Sequence, residues 1–244
     1  MSDTDADGRE GSTVLVPIDA AEAKTLPVAL AEALAPIRIV VLGYYPVPSQ
    51  AAPDQIRANR EEEVTAAIED VVARFADRGA DVESVVVFTH DKDETIDRVA
   101  DEYDVDAVLV PGDYAATLAR VLVPIRGDEN LERIVRFVGD LMRDNSITVA
   151  LYNVAGSDDE AARGESLLED ARDRLIERGI GSDRIECRLD RGDSSTDAIV
   201  AAAGEFEILI VGESEPSLRD RILGRTTGRV VERVERPVLV VRDA

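Results

Sequence analysis

Val-Leu-Val-Pro-Ile fills residues 14–18 and recurs, letter for letter, at residues 121–125. Both copies are short apolar, β-rich runs bounded by turn or loop residues, the pattern of a buried strand rather than a helix. Outward from each copy, the chain repeats one order of events. A helix-period stretch is followed by a second apolar run, a long charged helix, a third run, a shorter helix and a fourth run. A period of about a hundred residues is too long for a solenoid unit, so the repeat reads as two copies of a whole α/β domain. The length of 244 residues suits two ordinary domains.

In the first copy the patterns predict strands at 13–18, 37–42, 82–88 and 107–110, with helices at 20–35, 54–78 and 93–103. Pro27 either kinks the 20–35 helix or marks its true first turn. Residues 43–53 carry three prolines and read as an irregular loop. In the second copy strands are expected at 121–125, 147–154, 184–189 and 208–211, with helices at 129–143, 160–178 and 194–203. Gly79 and Gly179 read as helix stops. Only the second copy continues, through a helical or loop-then-helix stretch at 218–234, to a fifth strand at 237–241. The expected organisation is a flexible acidic leader at 1–11, a truncated first module at 12–118 and a complete second module at 119–244. Strands alternating with helices imply right-handed crossovers and open parallel sheets covered on both faces. A first module that stops at strand four leaves a sheet edge bare, so the second module or residues 113–120 should cover it.

Composition narrows the function. Hydrophobic residues make up 45%, and with no Trp and four Phe the cores must be Val, Leu, Ile and Ala. Acidic residues number 51 against 28 basic, a net charge of −23. The acids run along the whole chain, and Lys occurs only at Lys24 and Lys92 while Arg is common. That is a uniformly solvated, salt-adapted, haloarchaeal-like surface rather than one acidic docking face. It disfavours nucleic acid as a partner. No apolar run approaches the ~18–20 residues of a membrane span, and the acidic N-terminus is not a signal peptide. A cytoplasmic protein with no membrane insertion is expected. A single cysteine, Cys187, excludes a disulfide framework and reads as packed inside an alternating strand. His90 reads as a satisfied loop residue. Asp93 reads as a helix cap, with Asp91, Glu94 and Asp97 as solvated neighbours rather than metal ligands. Asp193 and Ser194 repeat that capping pattern. No nucleophile–base pair stands out, so binding is expected and catalysis is not.

In open parallel sheets ligands sit beyond the carboxyl ends of the strands. The positions this singles out are Asp19, Gly43, Gly112, Arg126 and Gly212. The strongest stretch is GESEPSLRDRILGRTTGR, residues 212–229. Its glycines let backbone N–H groups approach an anion, and the following helix adds its positive N-terminal end. Thr226 and Thr227 add hydroxyls, and Arg219, Arg221 and Arg225 add fixed charge. A phosphate-bearing ligand suits this stretch; the competing reading has the arginines solvating a helix face or pairing with nearby acids.

Taken together, these residues resemble the universal stress protein (UspA) superfamily along nearly the whole chain, as two tandem modules. The resemblance rests on Val-Leu-Val-Pro-Ile-Asp at 14–19, the strand–helix order, Val-Gly at 211–212 and the close VERPVLVVR at 234–242. It implies an α/β fold with strand order 3-2-1-4-5, of which the truncated first module has four strands, and homodimers pairing through the fifth strand, here 237–241. It further implies adenine nucleotide, ATP or AMP, with any metal being the Mg that accompanies it. ATP-binding members carry Gly-x-x-Gly, nine residues, then Gly-Ser/Thr after strand four, and an Asp after strand one. Gly212 and Gly224 match the first and third glycines, the latter one residue early. Glu215 replaces the second, where its side chain and charge oppose phosphate approach. Arg225 stands at the Ser/Thr position with Thr226 and Thr227 displaced, and Arg126 replaces the Asp. The first copy keeps Asp19 but lacks the glycine loop. The implied site is Gly212, Ser214, Gly224, Arg225, Thr226 and Thr227, with Arg126 supplying charge. The alternative is a dimeric interaction or scaffold protein in which that site is a relic.

Overall fold

The computed structural model describes residues 11–22, 26–213 and 225–243. All but the last residue of the expected leader lies outside them. The first half runs β1 (Thr13–Asp19), α1 (Val28–Leu34), β2 (Arg38–Pro46), α2 (Pro53–Ala76), β3 (Val82–Thr89), α3 (Lys92–Glu102) and β4 (Ala107–Val110). The second runs β5 (Arg120–Pro124), α4 (Leu131–Met142), β6 (Thr148–Ala155), α5 (Asp158–Glu177), β7 (Ile185–Arg191), α6 (Ser195–Ala203), β8 (Ile208–Gly212), α7 (Arg225–Arg233) and β9 (Val238–Val241).

Local chemistry accounts for most departures from the expected bounds. Pro27 is the cap of α1, with φ −65° and ψ 146°, so that helix begins after the proline instead of kinking at it. Strand β2 runs on to Pro46 because β3 pairs with it along its length, which places Gly43 inside the sheet rather than in a loop. The cap of α3 is Asp91, whose carboxylate accepts from the N–H groups of Asp93 and Glu94; Asp93 itself lies within the first turn. Cys187 is exposed, not packed inside, because β7 is an outer strand of the sheet. His90 is satisfied as expected, its Nδ1 lying 3.0 Å from the Val47 carbonyl oxygen.

The largest correction concerns the sheet. Two separate sheets were expected, the second ordered 3-2-1-4-5 and the first stopping at its fourth strand. The chain instead forms one nine-stranded sheet in the order β3-β2-β1-β4-β9-β8-β5-β6-β7. Every neighbouring pair is parallel except β4 and β9, which run antiparallel with Ala107 opposite Val241 and Val110 opposite Val238. On its other side β9 pairs with β8, from Leu209 opposite Val238 to Gly212 opposite Val241. The edge that β4 would leave bare is therefore filled by β9, which satisfies backbone groups that burial would otherwise strand. It follows that 237–241 is not a free edge, so no second chain can pair there while the sheet is intact.

The two faces are covered differently. On one face α1, α2, α4 and α5 share a single core that reaches from β2 through β1, β4, β9 and β8 to β6. On the other face α3 packs over Leu15, Val40, Leu42 and Val108, while α6 and α7 pack over Leu122, Ala150, Leu209, Val238 and Val240. Polar contacts stitch the seam between the halves. Ser12 Oγ donates to buried Asp140 of α4 at 2.7 Å, and Arg143 reaches the same carboxylate at 2.6 Å. Asp106 accepts from the Thr13 N–H at 2.8 Å and pairs with Arg136.

Candidate functional site

The carboxyl ends of the parallel strands are the natural place for a ligand, and the two halves treat them differently. In the first half, Asp19 accepts from the Ala21 N–H at 2.9 Å and so caps its own turn. The Tyr44 phenol beside it is held above its ordinary pKa, first by burial and then by Asp19, Glu22 and Asp93. Gly112, just past β4, abuts the backbone carbonyl of Arg236, which a Cβ would overlap. The approach to β9 thus occupies the space past β4.

In the second half the ends of β5 and β6 open onto a cavity of about 400 Å³. Arg126, two residues beyond β5, lines it and donates through its guanidinium to Ser195 Oγ at the start of α6. Burial lowers the pKa of that guanidinium, although the residue as a whole remains exposed to solvent. The floor is set by Asn153, a buried polar residue of β6 whose Nδ2 donates to the Ile125 carbonyl at 2.6 Å. Beside it the buried Tyr152 donates its hydroxyl to Asp190 at 2.8 Å, and burial together with that contact raises its pKa. Ser157 caps α5 by accepting from the Glu160 N–H at 3.3 Å, and the Glu160 carboxylate turns back to accept from the Gly156 N–H at 2.7 Å. This is close to a capping box, and it engages one of the cavity's two carboxylates. Ser194 caps α6 by accepting from the Asp197 N–H at 3.3 Å, and Asp197 pairs with Arg233 of α7 at 2.6 Å.

Gly212 ends β8. A Cβ there would come within 2.9 Å of Ile134 Cδ1, so the glycine admits α4 of the protein itself as closely as any ligand. Asn130 Nδ2 donates to the Glu213 carbonyl at 2.8 Å and ties the loop after β5 to the end of β8. The Glu213 side chain is buried and accepts from the Asp243 N–H at 3.0 Å. Burial pushes its carboxyl above the ordinary value, against the lowering effects of that N–H and of Arg242.

Of the site residues expected from sequence, Arg126 lies in the cavity and Gly212 lies one strand away. Ser214 and Gly224 fall outside the described residues. Arg225, Thr226 and Thr227 open α7, and their side chains also fall outside the description. The sequence reading passed over Asn153, Tyr152, Ser157 and Ser195. Asn153 carried a signal, a polar residue inside an otherwise apolar run; Ser157 and Ser195 lie at polar helix starts where nothing in the sequence sets them apart. Among the described residues no group of three or more His, Cys, Asp or Glu is placed to hold a metal, and no helix is long and apolar enough to cross a membrane.

Comparison with curated proteins finds no match. Among solved structures, a universal stress protein from Archaeoglobus fulgidus DSM 4304 shares the fold at 16% identity and a TM-score of 0.68, covering 95% of this chain and 96% of its own. A protein of unknown function from Pseudomonas aeruginosa PAO1 does so at 14% identity and a TM-score of 0.59, covering 95% of this chain and 92% of its own. The family model described as the universal stress protein family matches residues 117–242, just over half of the 244. The chain belongs to the universal stress protein family.

Proposed function

We propose that the protein is a binding or regulatory member of its family that takes one small anionic ligand per chain, adenine nucleotide (AMP or ATP) being the first candidate. The single observation that carries this is the cavity beyond β5 and β6 with Arg126 in it, whereas the equivalent ends of β1 and β2 carry Asp19, with Glu22 and Asp93 also acting on Tyr44. We read the halves as two family modules that share β9 as one fifth strand, with the ligand at the cavity of the second. The donors fit an anion. A guanidinium and hydroxyls at helix starts are what phosphate oxygens accept from. A Mg ion would arrive with the nucleotide rather than in a protein cage. No reaction is proposed. The experiment is to purify the protein in high salt, denature it and identify released small molecules by mass spectrometry. Nucleotide or another organic anion near one equivalent per chain supports this reading.

A second reading, an interaction or scaffold protein in the cytoplasm, is favoured by the far end of the site. Gly212 is filled in by Ile134, and a buried carboxylate, Glu213, follows it. Homodimers belong to this reading, and a strand-paired dimer would use the outer strands β3 or β7, since β9 is paired on both sides. Protein that is folded and dimeric but releases nothing on denaturation supports it.

A further inference from the structure

We propose that the cavity beyond β5 and β6 is an anion subsite in its own right, in which Arg126 and Ser195 hold a phosphate monoester or carboxylate group. The inference rests on the reading that the second half binds a small ligand. It places the anionic group on Arg126, under the start of α6, rather than on the loop after Gly212.

Many arginines of this acidic chain pair with a carboxylate, among them Arg38, Arg136, Arg143, Arg174, Arg178, Arg188, Arg233 and Arg242, while Arg74, Arg120 and Arg184 donate to backbone carbonyls; Arg126 instead lines an open cavity. Among the described residues Arg126 makes no ion pair, and its hydrogen-bond partner is the neutral Ser195 hydroxyl. Most of its planar fork of N–H donors is left for an acceptor from solvent. The two carboxylates on the cavity wall do not take that place. Glu160 is turned to the Gly156 N–H, and Asp193 is exposed at the head of α6. The Asn153 contact to the Ile125 carbonyl fixes the backbone from which Arg126 springs, so the guanidinium is held over the cavity by a buried anchor. The first-turn N–H groups of α6 add their positive end to the same space. A charged acceptor here forms charge-assisted bonds to a partly desolvated fork, whereas a neutral nucleoside in the same space gains none of them.

The test is a titration of ¹⁵N-labelled full-length protein with inorganic phosphate, succinate, AMP and adenosine at constant ionic strength, followed by amide shifts. Wild type is expected to bind phosphate or succinate with shifts at residues 193–197, and the tighter of the two identifies which oxyanion the subsite prefers. Arg126→Gln should weaken that binding by about tenfold or more, Arg126→Lys should restore part of it, and Arg98→Gln, an exposed residue of α3 paired with Glu102, should leave it unchanged. If Arg126→Gln lowers the melting temperature, Ser195→Ala provides the second variant and should weaken the same shifts in a folded protein. Phosphate and succinate binding as tightly to Arg126→Gln and Ser195→Ala as to wild type would overturn the inference. AMP binding unchanged by Arg126→Gln would overturn it while leaving the ligand-binding reading intact. Wild type that binds none of the four probes would overturn both.

Discussion

Asp140 is buried where the two halves meet, and its carboxylate is shared between Ser12 Oγ and Arg143. Replacing it with Ala leaves the Ser12 hydroxyl, itself only 2% exposed, without an acceptor. Stranding one buried polar group costs ~1–3 kcal/mol, so Asp140→Ala should lower the urea midpoint by a corresponding amount with an unchanged slope. A midpoint equal to wild type would mean that the contact contributes nothing net. Glu213 gives a pH test whose sign follows from its environment. Its folded pKa is raised, so its contribution to stability is full below the unfolded value of ~4.3 and is lost as pH rises through the folded value. Asp106 is shifted the same way, by burial first. Ionising the buried Glu213 is therefore a cost. Glu213→Gln should be more stable than wild type at pH 7, with the gap closing as pH falls towards ~4. A variant less stable at pH 7 would show that the Asp243 N–H and Arg242 outweigh burial. Residue patterns exposed only part of this chemistry. Arg126 was legible as a charge after a strand, but its partner Ser195 was not, because a serine at a helix start looks the same whether it caps or faces a cavity.

At the scale of elements the apolar runs were legible because a strand buried on both faces is apolar throughout, and the Gly stops held. Gly79 and Gly179 take φ of 81° and 89° after α2 and α5. The seam was not legible for the same reason. Strands β4 and β9 are both wholly apolar and short, so neither carries an alternation from which direction or register could be read. Pairing across more than a hundred residues leaves no local trace. The misplacement of Cys187 has a related cause, since alternation along β7 does not tell whether the strand is central or outermost. All four residues of β9 are buried, and each such side chain is worth roughly 1.5–3 kcal/mol of burial. Strand β9 should therefore not open alone. Native-state hydrogen exchange is expected to find the amides of β4, β8 and β9 protected to the same degree, near the global stability. Amides of β9 exchanging well ahead of β4 and β8 would mean that the halves are joined only loosely.

At the scale of the molecule, one core runs beneath β9 from the first half to the second, and the charge of −23 is spread over the outside. Like charges repel most in the compact state, and the Debye length falls from ~10 Å at 0.1 M salt to ~3 Å at 1 M. The melting temperature is thus expected to rise as KCl is raised over that range, in a single transition for both halves. A melting temperature that falls with salt would favour acids held in stabilising ion pairs over mutual repulsion. Under the proposed reading one ligand per chain is expected, since the ends of β5 and β6 open onto a cavity holding Arg126 while the equivalent ends of β1 and β2 carry Asp19. The most direct measurement is a calorimetric titration of the intact protein with AMP and with ATP at high KCl. The account predicts a single class of site at one ligand per chain; two ligands per chain, or no heat from either nucleotide with the protein folded, would contradict it.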